Sequence, residues 1–257
     1  MTRGKAVFGI LAVALLLSVH ASAAVPADAA DFRVQSRVYA ADSKQPISQN
    51  ITLFRGSVVY DFVENGGEIT VFDTDSGLLT VLDTTRQVKT EVTTDQVLQY
   101  TSWLKDVVRR GDDALLKFCL QPDFQVTAGT SQRRWVFDTP TMTYEVATAS
   151  PHGSKVASQY RHFCDWYARL NCIFHPQSLP PFPRLAVNER LSRQDLVPKA
   201  VYLRISPQRR FGNQETKIHS LHDFRYELTE ADIARINRAS TLVTTYEKVP
   251  LNRYRDR

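Results

Sequence analysis

The segment from Leu53 to Thr93 most constrains the fold, because it reads as short strands separated by tight turns. The sequence TVFDT at residues 70–74 recurs ten residues later as TVLDT at 80–84. The intervening Asp75-Ser76-Gly77 is typical of a hairpin turn. Both copies carry apolar residues on both faces, which indicates strands that are covered on each side. The segment therefore predicts consecutive antiparallel hairpins in the middle of a sheet.

An apolar face is predicted between residues 54 and 62. Phe54, Val58, Tyr60 and Phe62 alternate with polar residues, as expected for one strand with a buried face. Gly56 leaves space between these side chains. The face is therefore expected to form a wall of the protein interior.

The rest of the chain predicts helices between further strands. Thr93 and Gln96 form a capping-box pattern that opens a helix ending at Gly111, and Thr229 caps a last helix. The proline-rich segment 176–183 is expected to be a stiff connector. The strand predicted at 217–228 places His222, Phe224, Tyr226 and Leu228 on one face, and the basic tail 252–257 is expected to fray. This order predicts an α+β fold with an antiparallel sheet and helices packed on one face.

The N-terminus has the pattern of a Sec-type signal peptide. Arg3 and Lys5 precede an apolar stretch at 6–19, and Ala21-Ser22-Ala23 fits a cleavage site. We expect a signal peptide at 1–23 and a single mature domain at 24–257, periplasmic or secreted; a retained N-terminal anchor is the alternative. The net charge falls from +5 to +3 on cleavage, and no basic run suggests nucleic-acid binding.

The three cysteines leave one thiol unpaired in an exported chain. A disulfide from Cys119 to Cys164 or Cys172 and a set of three buried thiols both remain open. The cysteine and histidine spacings do not suggest a metal site, and no motif suggests a cofactor.

Residues for catalysis do not converge in the sequence. Asp73 and Asp83 are expected at opposite ends of a hairpin, about 15 Å apart, which is too far for paired carboxylates. His219 and His222 are predicted on opposite faces of one strand, with His222 as a hydrogen-bonded core residue. No GxSxG motif is present, so no catalytic residue is predicted.

Three strand patterns resemble the periplasmic lipoprotein-carrier superfamily, the LolA/LolB-like fold. They are Gly56 to Asp61, Ile69 to Asp73 and Leu79 to Asp83. The resemblance implies an antiparallel sheet curled as an incomplete barrel around a helical lid that holds acyl chains. It implies a cavity with His222 at its mouth and walls formed by Phe54, Val58, Tyr60, Phe62, Phe224 and Tyr226. The chain departs from the family in lacking its opening helix and in carrying additional helices.

The resulting expectation is an exported, soluble, non-enzymatic protein that binds a lipid, an acyl chain or a lipoprotein. A secreted structural or protein-interaction domain is the alternative, and a small hydrolase is a third hypothesis. An apolar cavity favours the carrier, a filled interior favours the interaction domain, and a cleft joining His222 to a carboxylate favours the hydrolase.

Overall fold

The computed structural model describes residues 30–41, 43–130, 133–153, 155–207 and 214–256. The predicted signal peptide, residues 1–23, lies outside the described residues. Within the described ranges, no helix combines the length and apolar character needed to cross a bilayer.

The described residues form twelve strands and six helices. The strands are β1 (Phe32–Ala40), β2 (Ser48–Arg55), β3 (Val58–Val63), β4 (Glu68–Asp73), β5 (Leu78–Asp83), β6 (Val88–Thr93), β7 (Gln125–Ala128), β8 (Arg134–Asp138), β9 (Met142–Ala149), β10 (Val197–Ile205), β11 (Thr216–Arg225) and β12 (Glu247–Lys248). The helices are α1 (Thr94–Arg110), α2 (Ala114–Leu120), α3 (Val156–Phe174), α4 (Phe182–Ser192), α5 (Glu230–Thr245) and α6 (Leu251–Arg255).

All twelve strands belong to one open sheet in the order β12-β6-β5-β4-β3-β2-β1-β11-β10-β9-β8-β7. Every pairing is antiparallel except that of β12 with β6. The pairing of β1 with β11 joins two meanders into one sheet, with β12 and β7 at its edges. The predicted α+β class is confirmed, and the unclosed sheet is consistent with an incomplete barrel.

Tight turns between β2 and β6 follow from residues in the left-handed backbone region. Gly56, Gly67, Gly77 and Gln87 all have positive φ, between 56° and 67°. Glycine adopts this conformation without steric cost, whereas Gln87 does not. At Gly77 a Cβ atom would also lie 2.6 Å from Oγ1 of Thr94. These turns fix the register of the predicted hairpins.

The carboxylates of Asp73 and Asp83 stabilise their own turns. Asp73 accepts hydrogen bonds from the backbone N–H groups of Asp75 and Ser76, and Asp83 accepts from those of Thr85 and Arg86. Their positions in the β4–β5 ladder, opposite Leu78 and Glu68, place them at opposite ends of the hairpin. They do not form a pair that could share acid–base chemistry.

Capping residues define the two helices that the sequence predicted most clearly. Thr93 accepts from the backbone N–H of Gln96, whose side chain accepts from the N–H of Thr93, and Gly111 ends α1. Thr229 and Asp232 make the equivalent capping box at the start of α5. Both predicted helix starts are confirmed.

The two faces of the sheet are covered by different helices. On the α3 face, side chains of α1, α3 and α6 pack against β1–β6, while α2 and α4 pack against β8–β10. On the opposite α5 face, Ile236 and Ala239 pack against Leu53, Val71 and other residues of β2–β5. The expectation that helices pack on one face alone is therefore wrong for α5, because β2–β5 carry apolar residues on both sides.

The described part of the C-terminal tail, residues 252–256, is ordered rather than frayed, since α6 extends to Arg255. Tyr254 of α6 is fully buried, and the Arg86 guanidinium lies 5.1 Å from the centre of its ring. The expectation of a frayed tail considered only its basic charge and neglected this buried tyrosine. Of the two alternatives for the cysteines, the structure has the free thiols: Cys119 and Cys172 are buried and Cys164 is half-buried.

Candidate functional site

The apolar residues between Phe54 and Phe62 do not share one face. The chain reverses at Gly56 and Ser57, so Phe54 ends β2, and Val58 begins β3. Phe54 pairs with Val59, which places both on the α3 face. The alternation was followed through a turn, and the predicted single face is wrong.

Val58, Tyr60 and Phe62 belong to the α5 face, where they pack with the cluster around Ile236. The Tyr60 hydroxyl lies 3.2 Å from Oγ of Ser240 on α5. These three residues therefore cannot line a cavity together with the residues of the α3 face.

The other predicted wall residues, Phe54, Phe224 and Tyr226, pack in the aromatic core of the α3 face. The ring of Phe54 stacks on Phe32 with centroids 4.0 Å apart. Phe224 lies 5.0 Å from the ring of Tyr160 on α3, and Tyr226 lies 4.5 Å from the ring of His152. Side chains of α3 thus cover much of this part of the sheet, and a pocket of about 390 Å³ remains beside Phe54 and Gly56, between β2, β3 and the start of α3. Contact of these residues with a ligand stays a prediction.

His222 lies on the α3 face within a set of hydroxyl groups. Its Nδ1 is 2.9 Å from Oγ of Ser36 and 3.3 Å from the Tyr160 hydroxyl, and its Nε2 is 2.9 Å from Oγ of Ser220. His219 points to the opposite face, where its ring stacks with Tyr39 at 4.7 Å. The predicted separation of the two histidines is confirmed.

This arrangement makes His222 a poor general base. Burial lowers its pKa to about 3, and the positive charge of Arg184 acts in the same direction. An efficient general base has a pKa near the working pH, and the imidazole of a catalytic triad is oriented by a carboxylate. The described hydrogen-bond partners of His222 are hydroxyl groups. The geometry therefore does not favour the hydrolase hypothesis.

Asp61 of β3 is a second buried polar group on the α3 face. It is 2% exposed and accepts hydrogen bonds of 2.6 Å from both Asn50 Nδ2 and Thr52 Oγ1. Burial raises its pKa to about 6, against the opposing effect of hydrogen bonds from Thr52, Asn50 and the Tyr167 hydroxyl. Asp61 therefore connects the sheet to α3 through a carboxyl that is costly to ionise.

A cleft lies where β6, α1, α3 and the C-terminal segment meet, and we call it the corner cleft. Its volume is about 670 Å³, within the range common for sites that hold small molecules. The apolar part of its lining consists of Val92, Tyr100, Ile173, Val249, Pro250 and Leu251. Polar residues of the lining are Thr90, Glu91, Gln96 and Lys248.

The charged groups of the corner cleft are paired with each other. Lys248 donates to Oε2 of Glu91 at 2.5 Å, and Nζ of Lys89 lies 3.4 Å from Oε1 of Glu91. The hydrogen bond from Lys248 and the neighbouring positive charges lower the pKa of Glu91, although burial opposes the shift. The Tyr100 hydroxyl donates to the carbonyl of Cys172 at 3.0 Å. The cleft thus combines apolar walls with a charged, ion-paired margin.

No cluster suited to a metal ion occurs in the described parts of the chain, by the criterion of three or more His, Cys, Asp or Glu side chains. The corner cleft itself contains one carboxylate, Glu91, which is engaged by lysines. The chemistry that this cleft offers is the burial of apolar surface beside a charged margin.

Sequence reasoning missed the corner cleft. It is built from three segments that are far apart in the chain, residues 90–100, the end of α3 and residues 248–251, and β12 joins β6 through a parallel pairing at the sheet edge. The sequence signal was the apolar triplet at 249–251, immediately before the basic tail. Three apolar residues are too short a pattern to predict a strand or a helix.

Comparisons with known proteins place few constraints on this chain. Neither a protein-family model nor a curated protein matches it. A solved structure titled "Structure of PNGF-II in C2 space group" is similar with a TM-score of 0.35 and 9% sequence identity. The match covers 88% of this chain and 32% of that chain, so this chain spans about a third of that protein's length. A likeness of this strength carries no argument about function.

Proposed function

We propose that this protein is an exported, non-enzymatic carrier that binds an acylated or lipid ligand. The corner cleft holds the acyl chain, and its charged margin contacts the polar end of the ligand. The observation that carries the proposal is the cleft itself, with about 670 Å³ of space beside Val92, Ile173 and Leu251.

The walls of the cleft favour an apolar ligand over a polar one. Val92, Ile173 and Val249 are each 3% exposed, so the floor of the cleft is apolar. Burying a methylene group there is worth about 0.8 kcal/mol, which corresponds to about fourfold in affinity. A polar ligand would have to compete with the existing Glu91–Lys248 ion pair to bind strongly.

The export part of the proposal rests on the N-terminal sequence. A basic n-region, an apolar stretch and an Ala21-Ser22-Ala23 cleavage pattern are typical of secreted proteins. A soluble carrier outside the cytoplasm would shield an acyl chain from water between two membranes or partners.

Fluorescence titration of delipidated protein with acyl probes of increasing length tests the proposal. Affinity is expected to rise with each methylene until the cleft is filled, because each group buries further apolar surface. Leu251→Ser, at a half-buried wall position, is expected to weaken binding. Ile47→Ser changes an exposed apolar residue outside the cleft and serves as the matched control.

Two further variants separate the corner cleft from the residues predicted from the sequence. Phe224→Ser changes the aromatic core beside α3, whereas Tyr60→Ser changes the α5 face. Neither is expected to alter acyl affinity once folding is verified by circular dichroism. Uniform affinity across chain lengths, or no binding by the folded wild type, would refute the carrier proposal.

The alternative function, a secreted protein-interaction domain, is favoured by the edge strand β7. All four of its side chains are exposed, including Val126, and one edge of the strand has no partner in the sheet order. Unprotected edges of this kind can pair with a strand of another protein. If this function is correct, Val126→Pro should abolish capture of the partner and leave acyl titrations unchanged.

A further inference from the structure

An apolar ridge on α1 borders the corner cleft. Trp103 is 54% exposed and Val107 is 41% exposed, although both are large apolar residues. They lie one turn apart, and the Trp103 ring is 5.4 Å from the ring of Tyr100, which lines the cleft. Apolar surface therefore continues from the cleft along α1 to the solvent. We call Tyr100, Trp103 and Val107 the α1 ridge.

Exposed cations lie on the other side of the cleft, on and beside α6. Lys248 and Arg253 have side chains 60% and 71% exposed, and Arg255 is also exposed. Lys248 and Arg253 are paired with Glu91 and Glu247, whereas Arg255 makes no ion pair with another described residue. Arg255 lies at the end of α6, one turn after Leu251 of the cleft wall, which places this cation close to the cleft. The cleft mouth thus has an apolar margin on α1 and a basic margin on α6.

We propose that this mouth docks on an anionic lipid surface, with the α1 ridge inserted among the headgroups and Arg253 and Arg255 on the phosphates. The inference rests on the proposed function, since docking brings the corner cleft to a source of acyl chains. Aromatic and aliphatic side chains next to Lys or Arg are the combination that binds helices to membrane interfaces. Basic residues near an anionic surface add attraction that salt screens.

The size of the ridge favours a lipid surface over a protein partner. Trp103 and Val107 together expose roughly 200 Å², whereas a stable protein interface needs about 800 Å² from each partner. Insertion into a bilayer requires no complementary surface, so a small convex ridge is sufficient. Exposed residues of α1 beside the ridge include the charged Asp106 and Arg110, and the Asp106 carboxylate is paired with Arg109.

Vesicle co-sedimentation of the full mature protein tests the inference. We expect binding to vesicles that contain phosphatidylglycerol in phosphatidylcholine, and weaker binding to phosphatidylcholine alone. Trp103→Ser with Val107→Ser is expected to weaken binding to both by roughly tenfold or more. Arg253→Gln with Arg255→Gln should weaken binding to the anionic vesicles only, and added salt should do the same.

Leu98→Ser is the matched control, because Leu98 is 46% exposed on the same helix. It lies about 140° around the helix from Trp103, so vesicle binding should be unchanged. Absence of vesicle binding by the wild type would overturn the inference, as would equal loss with Leu98→Ser. If the wild type captured another protein through Trp103 and had no affinity for vesicles, the ridge would be assigned to a protein partner instead.

Soluble acyl probes distinguish this inference from the proposed function. A wild type that binds acyl probes but no vesicles refutes only the docking surface. A wild type that binds vesicles through Trp103 but no acyl probe refutes the carrier function and leaves a peripheral membrane protein.

Discussion

Replacing Asp61 by Asn is expected to make the stability of this protein less sensitive to a rise in pH from 3.8 to about 6. The Asp61 carboxyl is 2% exposed and accepts from Asn50, Thr52 and Tyr167. Burial raises its pKa from 3.8 to about 6. The protonated form is therefore favoured in the folded protein, and ionisation at neutral pH costs folding free energy.

The size of this effect follows from the difference between the two pKa values. One pKa unit corresponds to about 1.4 kcal/mol, so a shift from 3.8 to about 6 corresponds to about 3 kcal/mol. The folded state binds more protons than the unfolded state between these pH values, so the unfolding free energy falls as pH rises through this window. The contribution is fully present below pH 3.8 and lost above pH 6. Asn does not ionise, so the variant avoids this cost. Its amide NH2 group cannot accept one of the hydrogen bonds that the carboxylate accepts, and that loss costs about 1 kcal/mol.

Urea denaturation of wild type and Asp61→Asn between about pH 3 and pH 7.5 measures the effect. We expect the unfolding free energy of the variant, relative to wild type, to increase with pH by up to about 3 kcal/mol. Asp73→Asn is the control of opposite sign. Hydrogen bonds from Ser76 and Asp75 outweigh burial and lower the pKa of Asp73, so its contribution is lost as pH falls. A difference between Asp61→Asn and wild type that does not vary with pH would refute the reasoning.

Three further predictions concern the turns, the core and the leader. Gly77→Ala should lower the unfolding free energy by about 1 to 2 kcal/mol or more, because Gly77 has φ of +65° and the added Cβ would lie 2.6 Å from Oγ1 of Thr94. Gln87→Gly should instead raise the unfolding free energy by up to about 1 kcal/mol, because Gln87 also has a positive φ. Thermal denaturation measures both. Leu82→Ala removes a side chain that is 0% exposed and should cost about 2 to 5 kcal/mol in urea denaturation; a cost below 1 kcal/mol would contradict the packing. N-terminal sequencing of the exported protein should start after Ala23 or Ala24, and a membrane-bound chain that starts at Met1 would show that the leader is an anchor.

Local sequence patterns predicted much of the fold because the forces behind them are local. The repeat of TVFDT and TVLDT indicated β4 and β5. The Asp73 side chain and the positive φ of Gly77 form the turn between these strands without any contact to distant residues. The capping box at Thr93 located the start of α1 for the same reason. Alternation of apolar residues predicted the wrong faces where β2 and β3 are joined by the short turn at Gly56. The apolar pattern continues through that turn in the sequence, although the chain reverses there.

The candidate site was not predictable in the same way, because it depends on long-range pairing. Lys248 reaches Glu91 across 157 positions of sequence, and no local pattern indicates that contact. The predicted wall of Phe54, Tyr60 and Phe224 rested on apolar alternation within two segments and on the family resemblance. The structure divides these residues between two faces, because β2 and β3 present alternate side chains to opposite helices.

Photolabelling with an acyl chain that carries a terminal diazirine tests the central claim most directly. Delipidated protein would be irradiated with the bound probe, digested, and mapped by mass spectrometry. The carrier proposal predicts labelling of peptides that contain Tyr100, Ile173 or Leu251, reduced by an excess of unlabelled fatty acid. Labelling confined to Phe224 and Tyr226, or labelling that no competitor reduces, would contradict the assignment of the corner cleft as the acyl site.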